Sequence, residues 1–206
     1  LCASNENNVL TEFFASGIYD RKRPFHVTTS PSMDILVSSN LERLLFYTLD
    51  QDATKTAQLM DQLSTRGVYM LDAELITKLQ TEFFADFATI DQTATEIKRV
   101  FEKEGYPLDP HTAVGSFVAR QYQLKTGDLT PMIVVSTASP YKFPEAVLDA
   151  LGKRQEATGT AALKQLHQVI AQPYPQTIVE LFTAPLLHDL TCDPKDMKKL
   201  VLQLVK

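Results

Sequence analysis

Glycine is scarce in this chain, with seven residues in 206 and no two in a G-x-G arrangement. That excludes the glycine-rich turns by which nucleotide-binding proteins cradle phosphates. No G-x-S-x-G is present either, which removes the nucleophile elbow of the α/β-hydrolases. Tryptophan is absent, and Cys2 and Cys192 are the only cysteines, too few for a disulfide framework or a zinc site. A reducing, cytoplasmic setting is the simplest expectation. His26, His111, His167 and His188 lie far apart, and none stands in an H-x-x-x-H or H-x-x-E-H pair, so no metal site is expected. Basic charge is diffuse: the longest cluster is Arg21-Lys22-Arg23 and the net charge is −5. Phosphate backbones need a concentrated basic face, so nucleic acid is not an expected partner. No apolar segment approaches the roughly 20 residues that span a bilayer.

What remains is an ordinary globular composition, 44% hydrophobic and 22% charged, enough for one sizeable core or two small ones. The chain opens with LCASNENN, in mid-strand character and without a charged leader, and reads as a piece of a longer protein. Four stretches follow. Residues 1–47 read as a strand end, the polar turn Asn5–Asn8, a short helix over Val9–Ala15 closed by Gly17, and an amphipathic helix. That second helix starts at Ser30-Pro31-Ser32, with Met33, Leu36, Val37, Leu41, Leu44 and Leu45 at helical spacing. Residues 48–105 read as a mainly helical insertion: Asp52–Arg66, Asp72–Phe84 and Asp91–Glu104 each open on an Asp suited to capping. A short extended piece, Gly67–Leu71, separates the first two.

Residues 106–151 return to strand-and-helix alternation. Asp109-Pro110 caps a helix that ends at Gly127, Met132–Val135 reads as a buried strand, and Phe143–Leu151 as the next helix. Residues 152–206 read as a helical tail, broken at Gln172-Pro173-Tyr174-Pro175. A capping box at Asp193-Pro194-Lys195-Asp196 opens its last helix. Non-alternating strands between helices imply a parallel sheet covered by helices, whose ligands bind beyond the carboxyl ends of the strands.

By that rule three places converge at a ligand edge: Ser4–Asn8, Asp109–Thr112 and Ser136–Lys142. Each candidate there has a local and a functional reading. Thr137 and its neighbours Ser136 and Ser139 are strand-end caps or ligand-facing hydroxyls. Asn5 and Asn7 are turn formers or pocket residues. His111 is a first-turn residue bonded to Asp109 or a pocket wall. Lys142, beside aromatic residues at a helix start, reads as a surface charge rather than a Schiff-base lysine.

Three blocks in order, NENNVLTEFFASGIYD, SPSMDILVSSNLERLLF, and DPHTAVG with STASPYKFPEAV, resemble the C-terminal half of bacterial threonine synthase. The resemblance implies part of a tryptophan-synthase-β-like (fold type II) α/β architecture: a three-layer parallel sheet with helices, here with a helical insertion and tail. It also implies pyridoxal 5′-phosphate chemistry, converting O-phospho-L-homoserine and water to L-threonine and phosphate. In that fold group a late strand-end hydroxyl meets the pyridine nitrogen. A neutral partner there leaves the nitrogen largely unprotonated, which favours elimination and replacement over transamination. Thr137 matches that position, with Ser136 beside it; Asn5 and Asn7 fall on the substrate side and His111 on the wall over the cofactor.

The family's Schiff-base lysine, in an S-F-K-D-type motif, and its glycine-rich phosphate loop have no counterpart in residues 1–206. The resemblance therefore places them upstream of Leu1, in an N-terminal half that would be this chain's partner. The isolated chain is then expected to be inactive. A binding or regulatory homologue, or a related phospho-lyase, is the alternative.

Overall fold

Short polar and glycine signals set most element ends. In the computed structural model, which describes residues 1–187 and 189–205, β1 (Cys2–Ser4) leads into α1 (Val9–Ser16). Gly17 closes α1 at φ 75°, a left-handed conformation that favours glycine. A Cβ there would fall 2.2 Å from Ile76 Cδ1, so the position also needs the missing side chain. β2 (Ile18–Asp20) follows.

The expected four-turn helix from Ser30 is corrected by the structure. A single 3-10 turn covers Pro31–Met33, the chain then runs irregularly, and α2 begins only at Ser39 (Ser39–Thr48). The cause is side-chain competition with the backbone. Asp34 takes hydrogen bonds from Thr28, Asn5 and Asn7, and the Tyr19 hydroxyl donates to the Leu36 carbonyl while accepting from Ser38 N–H.

α3 (Ala53–Arg66) and α4 (Ala73–Glu82) open on Asp52 and Asp72, whose carboxylates accept from Lys55 N and Leu75 N. Between them lies β3 (Val68–Met70). After α4, β4 (Ala85–Phe87) is a strand that the sequence pattern does not announce. α5 (Ile90–Glu104) is capped by Thr89 and not by Asp91: Thr89 and Gln92 form a reciprocal capping box. α6 (Pro110–Thr126) starts on Asp109 and stops at Gly127.

Met132–Val135 is not part of a ladder. Its burial alternates, with Met132 and Val134 half-buried and Ile133 and Val135 exposed. The segment is extended but no strand among the described residues lies beside it. A buried parallel strand needs a neighbour on each side to satisfy its backbone, and β1 and β4 pair only with each other. A 3-10 turn (Pro140–Lys142), α7 (Pro144–Ala150) and α8 (Gly159–Ile170) complete the first of two compact units, Leu1–Gln172.

Two small sheets organise this unit. β1 runs parallel to β4, with Cys2 opposite Ala85 and Ser4 opposite Phe87. β2 runs antiparallel to β3, with Tyr19 opposite Tyr69. Both β3 and β4 belong to the mainly helical stretch 48–105, so that stretch is stitched by pairing to residues 1–47. One core gathers Val9, Phe13, Phe14, Tyr19, Leu41, Leu45, Leu63, Tyr69, Leu71 and Leu79. Tyr19 and Tyr69 stack there at 5.3 Å with Phe13 edge-on to both. A second cluster, Ala88, Val114, Phe117 and Val118, seats α6 against the parallel pair.

The second unit, Pro173–Lys206, holds α9 (Gln176–Leu181), which the sequence reading misses, and α10 (Met197–Leu204). A 3-10 turn over Pro194–Asp196 precedes α10. The capping box expected at Asp193 is not formed: its side chain makes no cap bond, and Asp196 N–H reaches the Asp193 carbonyl instead. The apolar residues Met197, Val201 and Leu204 are exposed. No described helix is long and apolar enough to cross a membrane.

Candidate functional site

The N-terminus of α6 is the organising point. Asp109 sits in extended backbone before Pro110, which needs no donor partner in a first turn. The buried Asp109 carboxylate accepts from His111 N–H at 2.9 Å and Thr112 N–H at 3.4 Å. The same carboxylate meets two side chains: His111 Nδ1 lies 3.0 Å from Oδ1, and the Thr112 hydroxyl bonds Oδ2. The other imidazole nitrogen, His111 Nε2, accepts from Ser32 N–H at 3.1 Å. An accepting Nε2 puts the ring proton on Nδ1, where it is donated to Asp109. Phe143 packs at 4.7 Å from the imidazole ring.

Beside this corner opens a cavity of about 510 Å³. Its polar lining comes from His111, Ser32 and Thr137, and its apolar walls from Met33, Ala119 and the segment Met132–Val135. Gly115 on α6 also lines it; a Cβ there would press to 3.3 Å against Val134 Cγ1. The missing side chain lets the extended segment lie close on the helix. Ser136 stands behind the rim, its Oγ 3.1 Å from Thr112 Oγ1. Among the described residues no lysine lines the cavity. Lys142 is exposed, with its ammonium 5.6 Å from the Phe143 ring.

The structure therefore brings Thr137 and His111 to one cavity with Ser136 adjoining. Asn5 and Asn7 are elsewhere, each only 2% exposed and fully engaged. Asn5 Nδ2 reaches Asp34 Oδ1 (2.7 Å), Thr28 Oγ1 (2.8 Å) and Ser30 Oγ (3.0 Å). Asn7 spans the His26 backbone, donating to its carbonyl at 2.8 Å and accepting from its N–H at 2.9 Å. This network fixes the turn that ends in Ser32 and Met33, so the asparagines shape the cavity from behind.

Asp34 and Thr112 take part in these hydrogen-bond networks, and the sequence reading singles out neither. For Asp34 a signal exists: it shares the helical stripe of Leu41 and Leu45, and a carboxylate on a core-facing stripe needs buried donors. Among the described residues no group of three or more His, Cys, Asp or Glu side chains could hold a metal ion; His188 lies outside the described residues.

α6 is clamped to α5 by an ion cluster around the buried Glu96 carboxylate. Glu96 accepts from Arg99 (2.7 and 3.0 Å), Arg120 (3.0 and 3.2 Å) and Ser116 Oγ (2.8 Å). Burial pushes its carboxyl pKa upward, but the donors from Arg99, Ser116 and Arg120 outweigh burial and hold it below the ordinary glutamate value.

Helices on a small parallel pair of strands, with a cavity between the capped helix α6 and the segment Met132–Val135, define a mixed α/β unit. Comparison with known proteins names the family. Residues 112–200 match the model "Threonine synthase, C-terminal", a range that includes Ser136 and Thr137. Threonine synthase-like 1 of Macaca fascicularis is 43% identical over 152 residues, covering 73% of this chain and 20% of that protein. Threonine synthase of Saccharomyces cerevisiae is 36% identical over 163 residues, covering 72% and 32%.

Among solved structures, the pyridoxal-phosphate-bound threonine synthase of Brucella melitensis superposes with TM-score 0.68 at 38% identity, over 87% of this chain and 38% of that one. The yeast enzyme does so with TM-score 0.74 at 30% identity, over 89% and 37%. The chain belongs to the threonine synthase family and corresponds to its C-terminal portion. It spans between a fifth and a third of the length of these curated relatives.

Proposed function

We propose that this chain forms one wall of the active site of a cytoplasmic, pyridoxal-phosphate-dependent threonine synthase, in which O-phospho-L-homoserine and water become L-threonine and phosphate. The observation that carries the reading is the meeting of Thr137 and His111 on one cavity with apolar walls. That donor set suits a flat aromatic heterocycle: apolar side chains for its faces, and a neutral hydroxyl for a ring nitrogen.

When bound, pyridoxal phosphate supplies an electron sink for carbanion character on the substrate. The Thr137 hydroxyl offers the ring nitrogen a partner that carries no charge, and so holds no proton on it. Met33 and Val134 exclude water from the cavity. His111, with Nδ1 directed to Asp109 and Nε2 to the Ser32 N–H, presents an imidazole fixed in one orientation. Asn5 and Asn7 keep Ser32 and Met33 in place through the Thr28–Asp34 turn. With no lysine on the cavity among the described residues, the lysine that attaches the cofactor comes from the N-terminal portion of the parent protein, and the chain alone is inactive.

The test is phosphate release from O-phosphohomoserine by the full-length protein, compared with Thr137→Val. Activity that drops at least tenfold in the variant, with thermal stability nearly unchanged, supports the reading. Equal losses of activity and stability would reduce Thr137 to a structural cap. The identity to proteins named threonine synthase-like 1 favours a second reading, a phospho-lyase or a non-catalytic binding protein of the same fold. Phosphate release without threonine would support the lyase, and cofactor-free protein without phosphate release the binding protein.

A further inference from the structure

The hydroxyl assigned to the cofactor ring lies on a segment with no ladder to hold it. Thr137 is exposed and follows an extended run without a strand partner among the described residues. Something else must fix it. At one end of the loop Ser136 Oγ is 3.1 Å from Thr112 Oγ1, which bonds the buried Asp109 carboxylate. The Thr112 hydroxyl is the donor in both contacts, to the Asp109 carboxylate and to Ser136 Oγ, so its single proton is shared between them. At the other end the buried Tyr141 hydroxyl donates to the Gln172 carbonyl at 2.5 Å and lies 2.9 Å from His167 Nδ1. Thr137 is the immediate neighbour of Ser136 and four residues from Tyr141, so the Ser136 end sets its place.

The Asp109 carboxylate thus does three things. It caps α6, it orients His111 through Nδ1, and through Thr112 it reaches the loop on the far rim of the cavity. Capping needs only the backbone contacts to His111 and Thr112; the bond from the Thr112 hydroxyl exceeds that need. Resting on the cofactor reading above, we propose that Thr112 and Asp109 are positioning residues: a Ser136–Thr112–Asp109 relay registers the Thr137 hydroxyl against the same carboxylate that fixes His111. The Thr137 hydroxyl and the His111 imidazole then share one reference point, and neither moves without the other.

The relay makes a specific prediction for the full-length protein. Thr112→Val keeps the backbone cap and cuts the relay; Ser136→Ala cuts it from the exposed end. Each variant should lower kcat by roughly ten- to a hundredfold with KM little changed, as expected when a reacting group is displaced by a fraction of an ångström. Each should shift the visible absorption of bound pyridoxal phosphate and speed amide hydrogen exchange across residues 135–139 by about tenfold or more. The double variant should be no worse than either single one, because both cut the same arm. If Thr112→Val does not fold, Ser136→Ala alone carries the test.

No uptake of pyridoxal phosphate by the unmutated protein would refute the functional reading. Normal uptake, with spectrum, kcat and exchange unchanged in Ser136→Ala, would refute the relay alone.

Discussion

Removing the Glu96 carboxylate tests how α5 is joined to α6, the helix that lines the cavity. Its side chain is 0% exposed, while those of Arg99 and Arg120 are 37% and 34% exposed. The three partners are therefore not equivalent. In Glu96→Gln both guanidiniums turn to water at modest cost, but a buried amide must face donors it can satisfy on only one atom. We expect a loss of about 2–3 kcal/mol, roughly 5–10 °C in Tm for a unit of this size. Arg99→Met with Arg120→Met strands the carboxylate instead and should cost more, about 3–5 kcal/mol.

The sign of the pH effect is fixed by the lowered carboxyl pKa. The contribution of Glu96 is complete above the ordinary glutamate range and disappears as pH falls through the depressed native value. Urea denaturation of the wild type and Glu96→Gln from pH 7 to pH 3 measures this directly. The stability gap should be constant down to about pH 5 and narrow below it. A gap that persists unchanged to pH 3, or a double arginine variant more stable than Glu96→Gln, would refute the reasoning.

Two further changes test the core and the polar turn. The Tyr69 hydroxyl is buried without a hydrogen-bond partner among the described residues, so Tyr69→Phe should leave stability unchanged or raise it by up to about 1 kcal/mol in urea denaturation; a clear loss would show that the hydroxyl is satisfied. Asp34→Ala removes the shared acceptor of Asn5, Asn7 and Thr28 and should cost about 2–4 kcal/mol. Limited proteolysis should then open the chain first between Arg21 and Leu36, and cleavage elsewhere would count against the network as the turn's anchor.

Elements whose signals are local could be read from residue order. Asp52, Asp72 and Asp109 cap the helices they precede, because the bond spans two or three residues and needs nothing distant. Gly17 and Gly127 end theirs by their own backbone freedom. Elements defined by remote partners could not. β4 is three residues long and exists because Cys2–Ser4 lies beside it, about eighty positions away in the chain. Met33–Leu36 has helical spacing, yet the Asn5–Asn7–Asp34 network claims its backbone. Met132–Val135 has the composition of a buried strand but no strand beside it among the described residues. At the site, resemblance to the family singled out Thr137 and His111, and their common cavity emerges only when α6 is folded. The Thr112 relay has no sequence signature, since a threonine after D-P-H reads as first-turn filler.

The extended run Met132–Val135 also bears on how the protein behaves in concentrated solution. Ile133 is 94% exposed and Val135 75% exposed, on a β-branched stretch whose edge is open to any second chain. Such an edge is a template for sheet growth between molecules. Pro131 and Pro140 bracket it, the kind of gatekeeping that limits propagation. The same apolar stripe that lines a cavity on its inner side is therefore a surface along which separate copies of this chain would associate. Ile133→Lys should lower concentration-dependent light scattering while leaving the circular dichroism of the fold unchanged.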